Sequence, residues 1–97
     1  MKEYSYYINI LKQFKSRFAE KYDILKIGIF GSVARGEQKD NSDLDVFVEL
    51  KEADPYLIFD LHRELELLCE CKVDLIRLRK SLRPLLFNKI LKEGIYA

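Results

Sequence analysis

Three acidic side chains and one glycine–serine pair are the residues of this 97-residue chain whose types and spacing suggest chemistry. Asp43 and Asp45 stand one residue apart at the start of an alternating run, Leu44, Val46, Val48 and Leu50 against Asp45, Phe47 and Glu49. Residues two apart on a strand share a face, which sets these two Cα atoms roughly 7 Å apart and lets the carboxylates converge. Such a pair suits Mg²⁺, which takes oxygen ligands from one or two protein carboxylates while phosphates and water complete its octahedron. Asp74, inside the apolar run Val73-Asp74-Leu75-Ile76, is the third candidate. Three carboxylates in one cleft raise one another's pKa values, so the cluster makes physical sense chiefly around a bound cation.

Gly31 and Ser32 supply the complementary half. A glycine at a strand end lets backbone approach a bulky ligand, and the N–H groups opening toward Val33 and Ala34 form a small anion-binding concavity beside a serine hydroxyl. Phosphate fits it. The Gly-x4-Gly-Lys-Ser/Thr pattern of a Walker A loop is absent, and Gly36 is misplaced for a dinucleotide-binding fingerprint. Taken singly each piece is weak: Gly-Ser turns are common, Asp-x-Asp can be a solvated strand end, and Asp74 alone reads as a buried ion pair with Arg77 or Arg79. Their order on consecutive elements is what points to phosphate chemistry. Arg35 can reach a phosphate oxygen or the polar loop, with a solvated surface arginine as the competing reading, and Lys26 and Lys39 are weaker candidates.

The elements that must position these groups follow from periodicity. Tyr4, Tyr7, Ile8, Leu11, Phe14, Phe18 and Tyr22 recur at helical spacing, and this aromatic stripe reads as core rather than as a ligand platform. Leu25, Ile27 and Ile29 then alternate with Lys26, Gly28 and Phe30, as in a strand. Ser32 to Gly36 can make only a short helical turn, and Glu37 to Ser42 is a polar surface connection. Asp54 and Pro55 start a helix with the buried stripe Leu57, Ile58, Leu61, Leu65 and Leu68. A third strand spans Lys72 to Leu78. Ser81 is expected to cap a last helix burying Leu82, Leu85, Leu86 and Ile90, and Ile95 to Ala97 adds a short edge strand. The link from Ile29 to Val46 is too short for a crossover helix, so the first two strands are expected to be antiparallel, with a parallel or mixed third pairing. The expected fold is α+β, a small mixed sheet of three to four strands packed with helices, in one domain spanning 1–97.

Composition narrows the rest. Hydrophobic residues at 48% and charged residues at 34% are those of an ordinary globular chain. With 17 basic and 16 acidic residues there is no global field to attract nucleic acid or an anionic membrane, so direct nucleic-acid binding is disfavoured. No apolar run approaches the ~20 residues of a membrane span and no signal-peptide core is seen at the N-terminus, from which a cytoplasmic protein is expected. Cys69 and Cys71 are too close for an ordinary disulfide and too few for a zinc site, and read as reduced thiols. His62, without a partner at metal spacing, reads as a surface histidine.

Gly31-Ser32, ten residues, then Asp43-x-Asp45 resembles the signature of the DNA polymerase beta-like nucleotidyltransferases, and the stretch from Gly31 to Leu50 resembles their smallest branch, the minimal nucleotidyltransferases. The resemblance extends to Ala34-Arg35-Gly36, to Ser42 before the acidic pair and to Val73-Asp74-Leu75-Ile76. It implies a polymerase beta-like core and membership among antitoxins paired with a HEPN-domain ribonuclease toxin, acting by transfer of AMP from ATP to a tyrosine of that partner. It further implies that Asp43 and Asp45 hold two Mg²⁺ ions, that Asp74 binds one of them and helps deprotonate the attacking hydroxyl, and that Gly31 and Ser32 hold the β- and γ-phosphates. Arg35 and Ser42 are the remaining nucleotide-binding candidates. The alternative is a non-catalytic antitoxin that neutralises its partner by occlusion. Either way so short a chain is expected to need another molecule to present the acceptor.

Overall fold

The computed structural model describes every residue from Met1 to Ala97, ordered as four helices and four strands. Helix α1 (Tyr4–Tyr22) buries Tyr7, Ile8, Leu11, Phe14 and Tyr22, whereas Tyr4 in its first turn is exposed. Strand β1 (Ile24–Phe30) follows and departs from the expected alternation. Ile24 pairs with Leu50 but Lys26 pairs with Glu49, a one-residue shift that marks a bulge. An extra residue in one strand rotates the side chains around it. Ile24 and Ile27 therefore both enter the core, and Leu25 is left half exposed.

The short helix α2 (Gly31–Arg35) is closed by Gly36, whose φ of +72° is a left-handed cap conformation that glycine adopts without strain. After the polar connection come β2 (Leu44–Leu50) and α3 (Pro55–Cys69). Asp54 caps α3 as expected, its Oδ1 accepting from the Tyr56 and Leu57 N–H groups at 2.9 and 3.4 Å. The buried line of α3 runs Leu61, Leu65, Cys69 in steps of four, and Leu68, expected in that stripe, is 44% exposed on its flank.

Strand β3 (Val73–Arg77) pairs parallel with β2, and β4 (Ile95–Tyr96) pairs antiparallel with β1. The sheet order is β3-β2-β1-β4, a mixed sheet in an α+β fold. Helix α4 (Pro84–Glu93) begins three residues after Ser81, which therefore does not cap it. Arg79 to Leu82 instead form a turn, the Leu82 N–H donating to the Arg79 carbonyl at 3.1 Å, and Pro84 needs no partner in the first helical position. Leu86 and Ile90 sit on the packing side of α4, which turns Leu85 outward to 88% exposure.

Two apolar clusters cover the two faces of the sheet. Leu44, Val46 and Val48 pack with α1 and α3, and Phe30 and Phe47 pack with Leu78, Leu82 and Ile90. Burying a side chain the size of Phe47 contributes about 1.5–3 kcal/mol, which holds the middle of β2 in the second cluster. His62, read from sequence as a surface group, belongs to this scaffold: its Nε2–H donates to the Val73 carbonyl at 2.6 Å while Glu66 accepts the Val73 N–H at 2.9 Å. No helix is long and apolar enough to cross a membrane.

Candidate active site

The strand register brings the dispersed candidates to one end of the sheet. Phe30, the last residue of β1, lies opposite Asp45 on β2, and Asp45 lies opposite Asp74 on β3. Gly31 follows Phe30 directly, so it sits next to a row of Phe30, Asp45 and Asp74 across three adjacent strands. Asp43 precedes β2, and the Leu44 N–H after it donates to the Lys72 carbonyl at 2.9 Å, tying both acidic segments together. Asp43 and Asp74 are exposed and Asp45 is half-buried.

Gly31 has a φ of +75°, and a Cβ at that position would lie 2.1 Å from Asp45 Oδ2. Only a glycine allows this carboxylate to rest against the start of α2. No side chain caps α2, so the N–H groups of its first turn remain available to an anion, with Ser32 half-buried beside them. The Asp45 carboxyl is pushed above the usual carboxylate range, first by burial and then by the Asp74 charge; Asp43 adds to the rise, while Lys89 and Arg35 oppose it.

The three carboxylates do not close into a cage with three protein ligands. They nonetheless fit a hard cation: the donors are all oxygen, the central one is raised first by burial and then by its acidic neighbours, and Mg²⁺ is ordinarily completed by phosphates and water rather than by an all-protein shell. Asp74 forms no ion pair with Arg77 or Arg79; Arg79 Nη1 instead donates to the Arg77 carbonyl at 2.9 Å.

The other candidates are disposed differently. Arg35 is held by two carboxylates, Nε donating to Glu37 at 3.0 Å and Nη1 to Glu93 at 2.7 Å, so it ties α2 to the polar connection and to α4. The Ser42 hydroxyl accepts the Lys39 N–H at 2.9 Å while the Ser42 N–H donates to the Lys39 carbonyl at 3.0 Å, closing a turn of the polar connection. Lys26 lies 5.9 Å from the centre of the Tyr96 ring, at the bulged end of β1 away from Phe30. Reading the sequence alone missed Lys89 and Glu93, because α4 carried only a packing pattern. Their spacing of four residues, one helical turn, was the only local signal that they share a face.

Residues 12–96 match the family model described as Polymerase beta, Nucleotidyltransferase. The protein adenylyltransferase MntA of Thermococcus cleftensis is 36% identical over 89 residues, which span 91% of this chain and 89% of that protein. MJ1215 of Methanocaldococcus jannaschii, which carries the provisional name protein adenylyltransferase, is 47% identical over 77 residues, 78% of this chain and 90% of its own length. A solved toxin–antitoxin structure with AMP-PNP contains a chain that superposes with a TM-score of 0.71, covering 88% of this chain and 70% of that one; at 24% identity this likeness establishes the shared fold.

Proposed function

The chain belongs to the polymerase beta nucleotidyltransferase family, and from that premise we propose that it is a Mg²⁺-dependent protein adenylyltransferase that moves AMP from ATP onto a tyrosine hydroxyl of a HEPN-domain ribonuclease and so silences it. The observation that carries this reading is the register of Phe30, Asp45 and Asp74 across β1, β2 and β3, which sets the Gly31 turn beside two of the carboxylates. The partner follows from the resemblance to minimal nucleotidyltransferases, and a toxin–antitoxin complex is also the setting of the structural neighbour.

In this reading Asp43 and Asp45 hold the cations, with Asp74 contributing to one of them. Bound Mg²⁺ supplies neutralisation of the triphosphate and of the charge that develops during transfer. The backbone of Gly31 and Ser32 holds the β- and γ-phosphates at the uncapped start of α2. Asp74 takes the proton of the attacking hydroxyl; the new O–P bond forms at the α-phosphorus and the bond to pyrophosphate breaks.

Intact mass of the partner after incubation with ATP and Mg²⁺ tests the proposal. Wild type is expected to add AMP, and Asp43→Ala and Asp45→Ala to add none. A partner that stays unmodified yet is inhibited equally by wild type and both variants refutes the enzyme and leaves occlusion.

A further inference from the structure

Two cations, Lys89 and Arg35, lie near enough to Asp45 to oppose the rise of its carboxyl. They differ in what else they touch. Arg35 is occupied by Glu37 and Glu93. Lys89 is exposed and takes part in none of the ion pairs of the molecule.

The geometry of α4 says where Lys89 points. Leu86 and Ile90 pack against the Phe30 and Phe47 cluster, which anchors the helix on the second face of the sheet. Phe87 and Leu91 line a hollow with Lys26, Glu49 and Arg77, residues at the ends of β1, β2 and β3 remote from Gly31 and the carboxylates. Lys89 lies about 200° around the helix from Leu91, on the side directed to the opposite end of those strands. There it borders a separate groove of about 560 Å³ with Arg83, Pro84, Leu85 and Leu86, which contains no carboxylate. A cation close enough to Asp45 to oppose the rise of its carboxyl yet bonded to no carboxylate, beside a groove without acids, is poised for an added anion rather than for an internal salt bridge.

We infer that Lys89 is the side chain that grips the β- and γ-phosphates of the nucleotide, a task for which Arg35 is already engaged. The inference rests on the nucleotidyl-transfer reading above and adds the residue that sets triphosphate affinity. Lys89 and the first turn of α2 then both hold the leaving pyrophosphate.

Calorimetric titration of wild type, Lys89→Met and Lys89→Arg with ATP plus Mg²⁺, inorganic tripolyphosphate plus Mg²⁺, and AMP tests it. Lys89→Met is expected to weaken ATP and tripolyphosphate about tenfold, the scale of one charge-assisted hydrogen bond, and to leave AMP within about twofold. Lys89→Arg is expected to recover most of the loss, and the KM for ATP in the transfer assay to follow the same order. Unchanged ATP affinity in Lys89→Met, or an equal loss for AMP and ATP, overturns the inference while leaving the enzyme reading in place. A wild type that binds no ATP overturns both.

Discussion

Replacing Gly31 by alanine separates the backbone role of this residue from its contact with Asp45. At φ +75° an L-residue pays a left-handed penalty of about 1–2 kcal/mol. The added Cβ would also lie 2.1 Å from Asp45 Oδ2 and 3.0 Å from its Cγ. Because the atom it meets is the tip of a side chain, the clash is relieved by rotating the carboxylate, which must retreat by about 1 Å, a displacement of the size that can cost ~10²-fold in rate. The expected stability loss is therefore the backbone term alone, a midpoint lowered by roughly 4–16 °C in a domain of this size. Gly36→Ala is the matched control: its φ is +72°, and nothing lies within 4 Å of the added Cβ. Both variants are expected to unfold at similarly lowered temperatures. Only Gly31→Ala is expected to slow AMP addition, by about 100-fold in a mass-spectrometric time course on folded protein. If it transfers AMP within about threefold of Gly36→Ala, the seating of Asp45 on Gly31 has no functional consequence and the reasoning fails.

Asp45→Asn is expected to unfold at a higher temperature than wild type in EDTA at neutral pH. The raised Asp45 carboxyl makes its charged form costly to the fold; that cost is present above the raised value and disappears as pH falls toward the ordinary 3.8. The gap between the two proteins should therefore close on acidification, and a gap that persists unchanged down to about pH 3 contradicts the assignment. Tyr22→Phe removes the phenol that donates to Asp60 Oδ2 at 2.7 Å and that holds the Asp60 carboxyl below its usual range. A carboxyl held low contributes stability above the ordinary 3.8 and loses it as pH falls through its lowered value. Urea unfolding should show the variant weaker than wild type at neutral pH, with the deficit shrinking in acid; a deficit independent of pH argues against the bond.

Much of the fold was readable because it depends on neighbours in the chain. The stripe of α1, the Asp54-Pro55 start of α3, the alternation of β2 and the glycine ending of α2 are each set by steric and hydrogen-bonding preferences over a few residues. Misreadings fell where a distant segment intervened. The bulge in β1 answers to its pairing with β2 and turns Leu25 outward, and α4 starts past Ser81 because a turn intervenes and its sheet-facing residues are Leu86 and Ile90.

The sequence by itself determined the chemical inventory: a glycine–serine turn after one strand, two carboxylates two residues apart at the start of the next and a third on another, because side-chain type and a period of two are local properties. Only the tertiary structure decided how the inventory is assembled. The register across β1, β2 and β3 puts Phe30, Asp45 and Asp74 in one row with Gly31 next to it, Glu93 engages Arg35 across 58 residues of chain, and Lys89 is left without an ion pair. The physical reason is that charge pairing and burial act through space, so which of several similar cations is free cannot be read until the chain has folded back on itself.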